Sequence, residues 1–435
     1  MNMIDIIAKR RDGMVHTQEE IQFLVDGATA KSIPDYQLSA WLMAAVLNPL
    51  GSEETAWLTL AMARSGERLD LSAIAKPWVD KHSTGGVGDK TTLVALPLMA
   101  ACGLTAVKMS GRGLGITGGT IDKLESIPGF RTDLSPTELL AQAAKHGIAL
   151  TGQTPALAPA DKVLYALRDA TATVASIPLI TSSILSKKIA GGAETLVLDV
   201  KAGSGAFMHT LDEANALAKS LKRVAEFAGI KTLVAITDMS QPLGRACGNA
   251  LEIVEAVETL NHDHHSRFAW LCKRLVGMLL WATSKADSVE SGHAMAREAL
   301  ESGQAKQKAM EWIDAQGADA ASLFADAESV LPRAKVVRKV FAHESGWLAR
   351  MDAATIGQAV VELGGGRQKK DDAIDQAVGI VCEVEVGDQI EDQQLLAVVH
   401  ARTDSDAEKA IAAVNRAVSI NASPVDHVPV LLHVE

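Results

Sequence analysis

Aromatic residues are scarce in this chain: Phe, Trp and Tyr make up 4% of its 435 residues. A sandwich or barrel of aromatic-rich strands fits that poorly, and the abundance of Ala points to packed helices instead. Cysteine is also rare. Cys102, Cys247, Cys272 and Cys382 are scattered and never paired as CxxC. That argues against a disulfide framework and against a zinc site, and it fits a reducing compartment. No apolar run reaches about 18 residues, so no membrane span is expected. The opening MNMIDIIAKRRDG lacks an apolar core followed by a cleavage site, so no signal peptide is read there. A basic balance is missing too. The formal net charge is −11, which argues against strong non-specific nucleic-acid binding. An anion would bind only where a local site overrides the acidic field. The expectation is a soluble cytoplasmic protein with no nucleic-acid or membrane partner.

What is present is ordinary for a globular protein. Hydrophobic residues are 48% and charged residues 22%, which excludes disorder as the main state. At roughly 150 residues per domain the length suggests about three domains. The first 70 residues read as helices. Thr17 and Glu20 form a capping box, and further runs cover about 35–47 and about 53–65. From Val79 onward, Gly-rich turns alternate with apolar strands and amphipathic helices. Residues 104–109, 195–200 and 233–237 read as strands, the latter two with the continuous apolar texture of a parallel sheet. Ser135-Pro136-Thr137-Glu138 is a helix start. Residues 159–191 read as two helices divided near Ser176-Ile177-Pro178, and two or three more helices fill 266–315. After Pro332, strand-like segments at 346–351, 379–386 and 395–400 mark an α+β terminal module.

Three segments carry chemistry. Lys81-His82-Ser83-Thr84-Gly85-Gly86-Val87-Gly88-Asp89-Lys90-Thr91-Thr92 follows a strand and leads into a helix. Glycines let backbone N–H groups approach a ligand, Lys, Ser and Thr add donors, and a helix N-terminus favours negative charge. In composition it is a phosphate cradle, although not a Walker A motif; a connecting turn is the alternative. The second segment runs from Lys108 to Glu125. Gly113, Gly115 and Gly118 formally match GxGxxG, but Pro128 and Gly129 stop the following helix too soon for a dinucleotide site. Ser110 and Thr120 flank this loop, and two such loops suggest one tetrahedral anion held between them. In the third, Ser183 and Lys187 are four apart and share a helical face, to which Arg168 is able to add a fork of donors. A solvated basic face is the alternative there. His262, His264 and His265 read as a solvated loop.

The motifs KHSTGGVGD, SGRGLGxTGGTxDKLESIPGF, LYALRDxTATVxSIPLI and DVKxGSGAFM resemble those of the thymidine and pyrimidine-nucleoside phosphorylases. The likeness covers nearly the whole chain. It implies an α/β fold: a small all-helical lobe from 1–70 with 160–192, a large α/β lobe around a central mixed sheet from 71–159 with 193–335, and a C-terminal α+β module at 336–435. It also implies a homodimer and a cleft that closes between phosphate on the large lobe and the base on the small one. By motif, Lys81, Ser83, Thr92, Lys108, Ser110 and Thr120 are assigned to phosphate, Arg168, Ser183 and Lys187 to the pyrimidine, and His82 to the base O2 and the ribose. His82, Arg168 and Lys187 are the catalytic set. The bacillus-type enzymes hold potassium at positions matching Gly88, Lys90, Leu243, Ala246 and Glu255.

Two positions depart from the pattern. Ile116 stands where the family usually has His. Lys90 stands where the bacillus-type enzymes have Thr, so that either an ion on the backbone carbonyls or the ammonium itself can fill the site. Thr92, Lys108 and the stretch Thr237-Asp238-Met239-Ser240-Gln241-Pro242-Leu243-Gly244 lean toward the broad-specificity branch. The activity implied is reversible phosphorolysis of uridine, thymidine and deoxyuridine, with phosphate as co-substrate and no organic cofactor. The rivals are a strict thymidine phosphorylase, an anthranilate-type phosphoribosyltransferase, a dinucleotide-dependent oxidoreductase and a non-catalytic nucleoside-binding protein.

Overall fold

The structure, a computed structural model, describes the chain except residues Leu114, Pro155, Lys370 and Asp371. Leu114 belongs to the second Gly-rich segment and so lies outside the described residues. Four helices open the chain: α1 (Met3–Arg11), α2 (Gln18–Thr29), α3 (Asp35–Leu47) and α4 (Ser52–Arg64). The capping box at Thr17 and Glu20 is formed, with both backbone N–H groups satisfied. No described helix is long and apolar enough to cross a membrane.

A sheet and its helices follow: β1 (Trp78–Ser83), α5 (Thr91–Ala101), β2 (Thr105–Ser110), α6 (Thr120–Leu124), α7 (Pro136–His146) and β3 (Ile148–Gly152). Then come α8 (Pro159–Ala170), α9 (Ile177–Ala190), β4 (Thr195–Ala202), α10 (Leu211–Phe227), β5 (Lys231–Asp238), β6 (Ala246–Cys247), α11 (Asn249–Asn261) and α12 (Arg267–Ala282). Strand order across the main sheet is β3-β2-β1-β4-β5, all parallel, with the terminal strand Leu431–Val434 antiparallel on β5. All eight residues of β4 are buried, as a central parallel strand covered on both faces requires.

Helices α8 and α9 leave the sheet and join the N-terminal bundle. Ala160, Leu164 and Leu179 share one apolar core with Leu24, Trp41 and Leu58. A chain that crosses back in this way leaves a cleft between bundle and sheet. Beyond α12, helices Val289–Glu301 and Gln304–Ala315 cover the large lobe.

The C-terminal region carries a four-stranded sheet (β6, Gly379–Cys382, Leu395–Ala401, Val336–Phe341) and a three-stranded one (Gln389–Ile390, Gly346–Met351, Val418–Asn421). It is not set apart at residue 336. Strand β6 of the large lobe pairs with Gly379–Cys382, and Leu431–Val434 pairs with β5. Each exchange covers a sheet edge whose N–H and C=O groups would otherwise stay unpaired. Among the expected strands, 379–386 is shorter than read. It ends at Cys382, because the chain turns at Gly387 (φ +103°) and Asp388 caps the turn through the Glu385 N–H at 2.8 Å.

Candidate active site

The cleft encloses about 850 Å³ beyond the carboxyl ends of β1 and β2, and α8 and α9 form its opposite wall. Ligands of open parallel sheets collect at this end, where the strand order reverses direction. The reversal here lies between β1 and β4.

The sheet wall carries His82, Ser83, Thr92, Lys108, Ser110 and Thr120. Thr92 lies in the first turn of α5, where backbone N–H groups have no helical acceptor. Ser83 Oγ donates to Asp89 and accepts the Gly85 N–H at 3.1 Å, so the first loop is already folded into a cradle. The second loop is held by backbone contact. A Cβ on Gly119 would sit 2.1 Å from the Gly113 nitrogen, so no other residue allows the two arms to meet. Asp122 closes that loop by accepting the Gly113 N–H at 2.6 Å and Arg367 Nη1 at 2.8 Å. Arg367 comes from the C-terminal region and lines the cleft.

Lys81 is the predicted phosphate ligand whose ammonium the structure does not bring into the cleft. Its ammonium is taken up behind the first loop, by the residues that lead into α5 and by β4. Its Nζ bonds Thr91 and lies 3.7 Å from Asp199, while the residue is 1% exposed. Asp199 in turn holds Lys201 at 2.7 Å. Lys81 therefore braces the loop from behind.

Lys108 does reach the cleft, beside a carboxylate that composition and spacing did not single out. Asp80 bonds Lys108 Nζ at 3.1 Å and Lys188 Nζ at 2.6 Å, and all three are buried. Burial opposes the charge on Asp80, but the two ammonium groups hold its carboxyl below the usual range. Burial pushes Lys108 down to about 7, with Asp80 resisting and Lys188 and Lys81 adding to the fall. His82 is held well below 6.5 by burial and by Lys188, Lys108, Lys81 and Lys187. At neutral pH the imidazole is therefore uncharged.

The helical wall carries Arg168, Ser183 and Lys187. Arg168 bonds the carbonyls of Thr173 (3.3 Å), Leu179 (2.9 Å) and Val174 (2.8 Å), so its guanidinium is fixed by the turn after α8 and by the first turn of α9. Lys187 Nζ bonds Ser183 Oγ at 3.1 Å and the carboxylate of Asp161. Asp161, Tyr165 and Arg168 stand at helical spacings of four and three on α8, and all three line the cleft. That periodicity was the available signal for Asp161. For Asp80 it was the alternation of VDKHS, which puts Asp80 and His82 on one face. Nothing local marks Arg367.

The five positions that the resemblance assigns to potassium are together at the back of the first loop. Lys90 Nζ bonds the carbonyls of Gly88 (2.8 Å), Leu243 (2.7 Å) and Ala246 (3.2 Å), and Glu255 Oε2 lies 2.9 Å away. A second cation does not fit among oxygens that already surround this charge.

Three family models match in succession. Residues 4–66 match the helical bundle domain of a glycosyl transferase family, 75–306 its a/b domain, and 347–421 the pyrimidine nucleoside phosphorylase C-terminal domain. A pyrimidine-nucleoside phosphorylase of Geobacillus stearothermophilus is 49% identical over 404 residues, covering 93% of each chain. One from Staphylococcus haemolyticus is 46% identical over 433 residues, covering 100% of this chain and 99% of its own. Among solved structures, anthranilate phosphoribosyltransferase of Thermus thermophilus shares the fold, with a TM-score of 0.59 at 20% identity over 71% of this chain and 98% of its own.

Proposed function

The chain belongs to the pyrimidine-nucleoside phosphorylase family, and we propose that it cleaves uridine, thymidine and deoxyuridine with inorganic phosphate in the cleft between the sheet and the helical bundle. It is an enzyme of pyrimidine-nucleoside phosphorolysis, with phosphate as co-substrate. The observation that carries the residue assignment is the pairing of two walls on one cavity: hydroxyls and Lys108 on the sheet side, Arg168 and Lys187 on the helical side.

Ser83, Thr92, Ser110, Thr120 and Lys108 hold the phosphate, and Lys81 supports their loop. A phosphate oxygen forms the bond to C1′ as the C1′–N1 bond breaks. The bonding pair leaves with the base, and the charge spreads onto its carbonyl oxygens. Arg168, Ser183 and Lys187 meet that charge as preorganised donors. Neutral His82 donates its ring N–H toward O2. The departed base takes up a proton through water, and the pentose 1-phosphate releases the proton that the attacking phosphate carried, so no net proton is consumed. Holding phosphate and nucleoside in register accounts for much of the rate, and no covalent enzyme intermediate is needed.

The test is release of uracil from uridine with and without phosphate. Release only with phosphate is expected; phosphate-independent release, or none, overturns the proposal. Both uridine and thymidine should be cleaved. Cytidine should be a poor substrate, because its 4-amino group meets donors where a carbonyl is required. Thymidine cleavage with uridine inert would place the enzyme in the strict thymidine branch.

The active assembly is a homodimer. Ile4 on α1 and Tyr36 and Leu47 on α3 are 60%, 73% and 72% exposed, an apolar group on the helical lobe suited to a partner. Light scattering should return twice the chain mass; a monomer across the assay concentration range counts against it. The four cysteines are free, which supports a cytoplasmic setting.

A further inference from the structure

Lys90 is 1% exposed, and a buried ammonium is costly unless it is fully partnered. Here the partnering is complete. Three backbone carbonyls and one carboxylate oxygen surround Nζ at 2.7–3.2 Å. An ammonium has three donors and no acceptor, so every N–H finds oxygen. The ring of Phe268 lies 5.0 Å away on a further side. Glu255 supplies the balancing charge. It is itself fixed by the N–H groups of Arg245 (2.9 Å) and Ala246 (2.7 Å). Burial opposes the charge on Lys90, and Glu255 with Glu252 more than restores it.

The space around this group is closed. A Cβ on Gly88 would lie 2.8 Å from the Leu243 carbonyl oxygen, and one on Gly244 would lie 2.2 Å from Glu255 Oε1 and 3.0 Å from Lys90 Nζ. Both glycines have left-handed backbones, with φ of +72° and +71°. They allow their segments to converge on a single positive centre. Two of the three accepting carbonyls come from residues 153 and 156 positions beyond Lys90. The ammonium thus ties the first loop, immediately before Thr91 and Thr92, to the segment preceding α11.

We propose that the Lys90 ammonium is the permanent occupant of the monovalent-cation position, so that this enzyme keeps its fold and its phosphate loop in place with no free potassium ion. A dissociable ion fills such a site only in proportion to its concentration, whereas a charge tethered two residues from Gly88 and one from Thr91 is always present. The thermal arm of the test stands apart from the proposed function, because it needs no turnover.

Full-length protein is stripped of potassium and sodium and titrated with KCl against tetramethylammonium chloride at constant ionic strength. For the natural chain, the thermal midpoint should be the same in both salts and the rate of uracil release from uridine should change by less than about twofold, a difference too small for a specific ion site. A saturable rise specific to KCl in either measurement overturns the proposal. Lys90→Thr removes the ammonium but leaves the carbonyls and Glu255. Its thermal midpoint should fall in tetramethylammonium chloride and recover saturably with KCl, and its activity should rise at least about tenfold over the same range, which corresponds to about 1.4 kcal/mol. A variant as stable as the natural chain in tetramethylammonium chloride, or one that KCl does not restore, overturns the assignment. If the variant is too unstable to purify in any salt, the natural chain's thermal response decides alone.

Discussion

Lys187→Met is expected to lower kcat by about 100- to 1,000-fold at saturating uridine and phosphate, the usual loss when one donor to a developing oxyanion is removed. Its Nζ lies on the helical wall, held by Ser183 Oγ at 3.1 Å and by Asp161. The charge it meets is small in the bound nucleoside and large once the C1′–N1 bond breaks. The loss should therefore fall on kcat more than on the Michaelis constant. Met keeps the length of the stem, so packing changes little. The complication is Asp161, 4% exposed, which the variant leaves without its cation. Lys187→Met combined with Asp161→Asn separates the two effects. The double variant should regain thermal stability without regaining kcat. If Lys187→Met alone keeps natural turnover at saturation, this wall does not bind the leaving base. Arg168→Ala should also lower kcat, and Arg168→Lys should not restore it. One planar fork reaches the carbonyls of Thr173, Val174 and Leu179 at once, and a point charge on a single stem cannot.

The second large effect concerns Asp80 and appears in the pH profile. Lys108 is pushed down to about 7, with burial as the leading cause and Asp80 as the group that opposes it. Lys108 attracts phosphate only while protonated. The value of kcat/KM for phosphate should therefore fall as pH rises through that range in the free enzyme. Bound phosphate favours the ammonium, so the corresponding fall in kcat should lie at higher pH. Asp80→Asn removes the group that raises Lys108 and leaves Lys108 and Lys188 buried without a carboxylate. The alkaline fall should then move to lower pH. At pH 8 the Michaelis constant for phosphate should rise at least about tenfold, or about 1.4 kcal/mol. The second ionisation of inorganic phosphate contributes equally to every variant, so the difference between profiles isolates the protein group. Lys108→Met should remove the shift between the two profiles altogether. An Asp80→Asn profile that overlays the natural one would show that Lys108 does not govern phosphate binding.

Local chemistry determined most of the elements of this protein from the sequence alone. Thr17 with Glu20 and Ser135 with Glu138 set helix starts because each pair satisfies backbone N–H groups within one turn. TLVLDV became β4 because a short run of mostly apolar, β-branched-rich residues between turns suits a strand covered on both faces. Ser183 and Lys187 met because helical period places them one turn apart. The two Gly-rich loops were visible for the same reason: a glycine's backbone freedom is its own. Other outcomes depended on groups brought together from far along the chain. Lys81 and His82 are neighbours in sequence, yet His82 lines the cleft while the Lys81 ammonium is held behind the loop by Thr91, Asp89 and Asp199, which lie far enough along the chain that only the packed fold brings them together. Asp80 finds Lys188 across 108 positions. Asp122 finds Arg367 across 245. Lys90 meets its carbonyls across 153 and 156. Backbone carbonyls carry no sequence signature, since every residue has one. Only the tertiary fold therefore decided which of them would surround the Lys90 ammonium, and so what fills the position where related enzymes are expected to hold an ion.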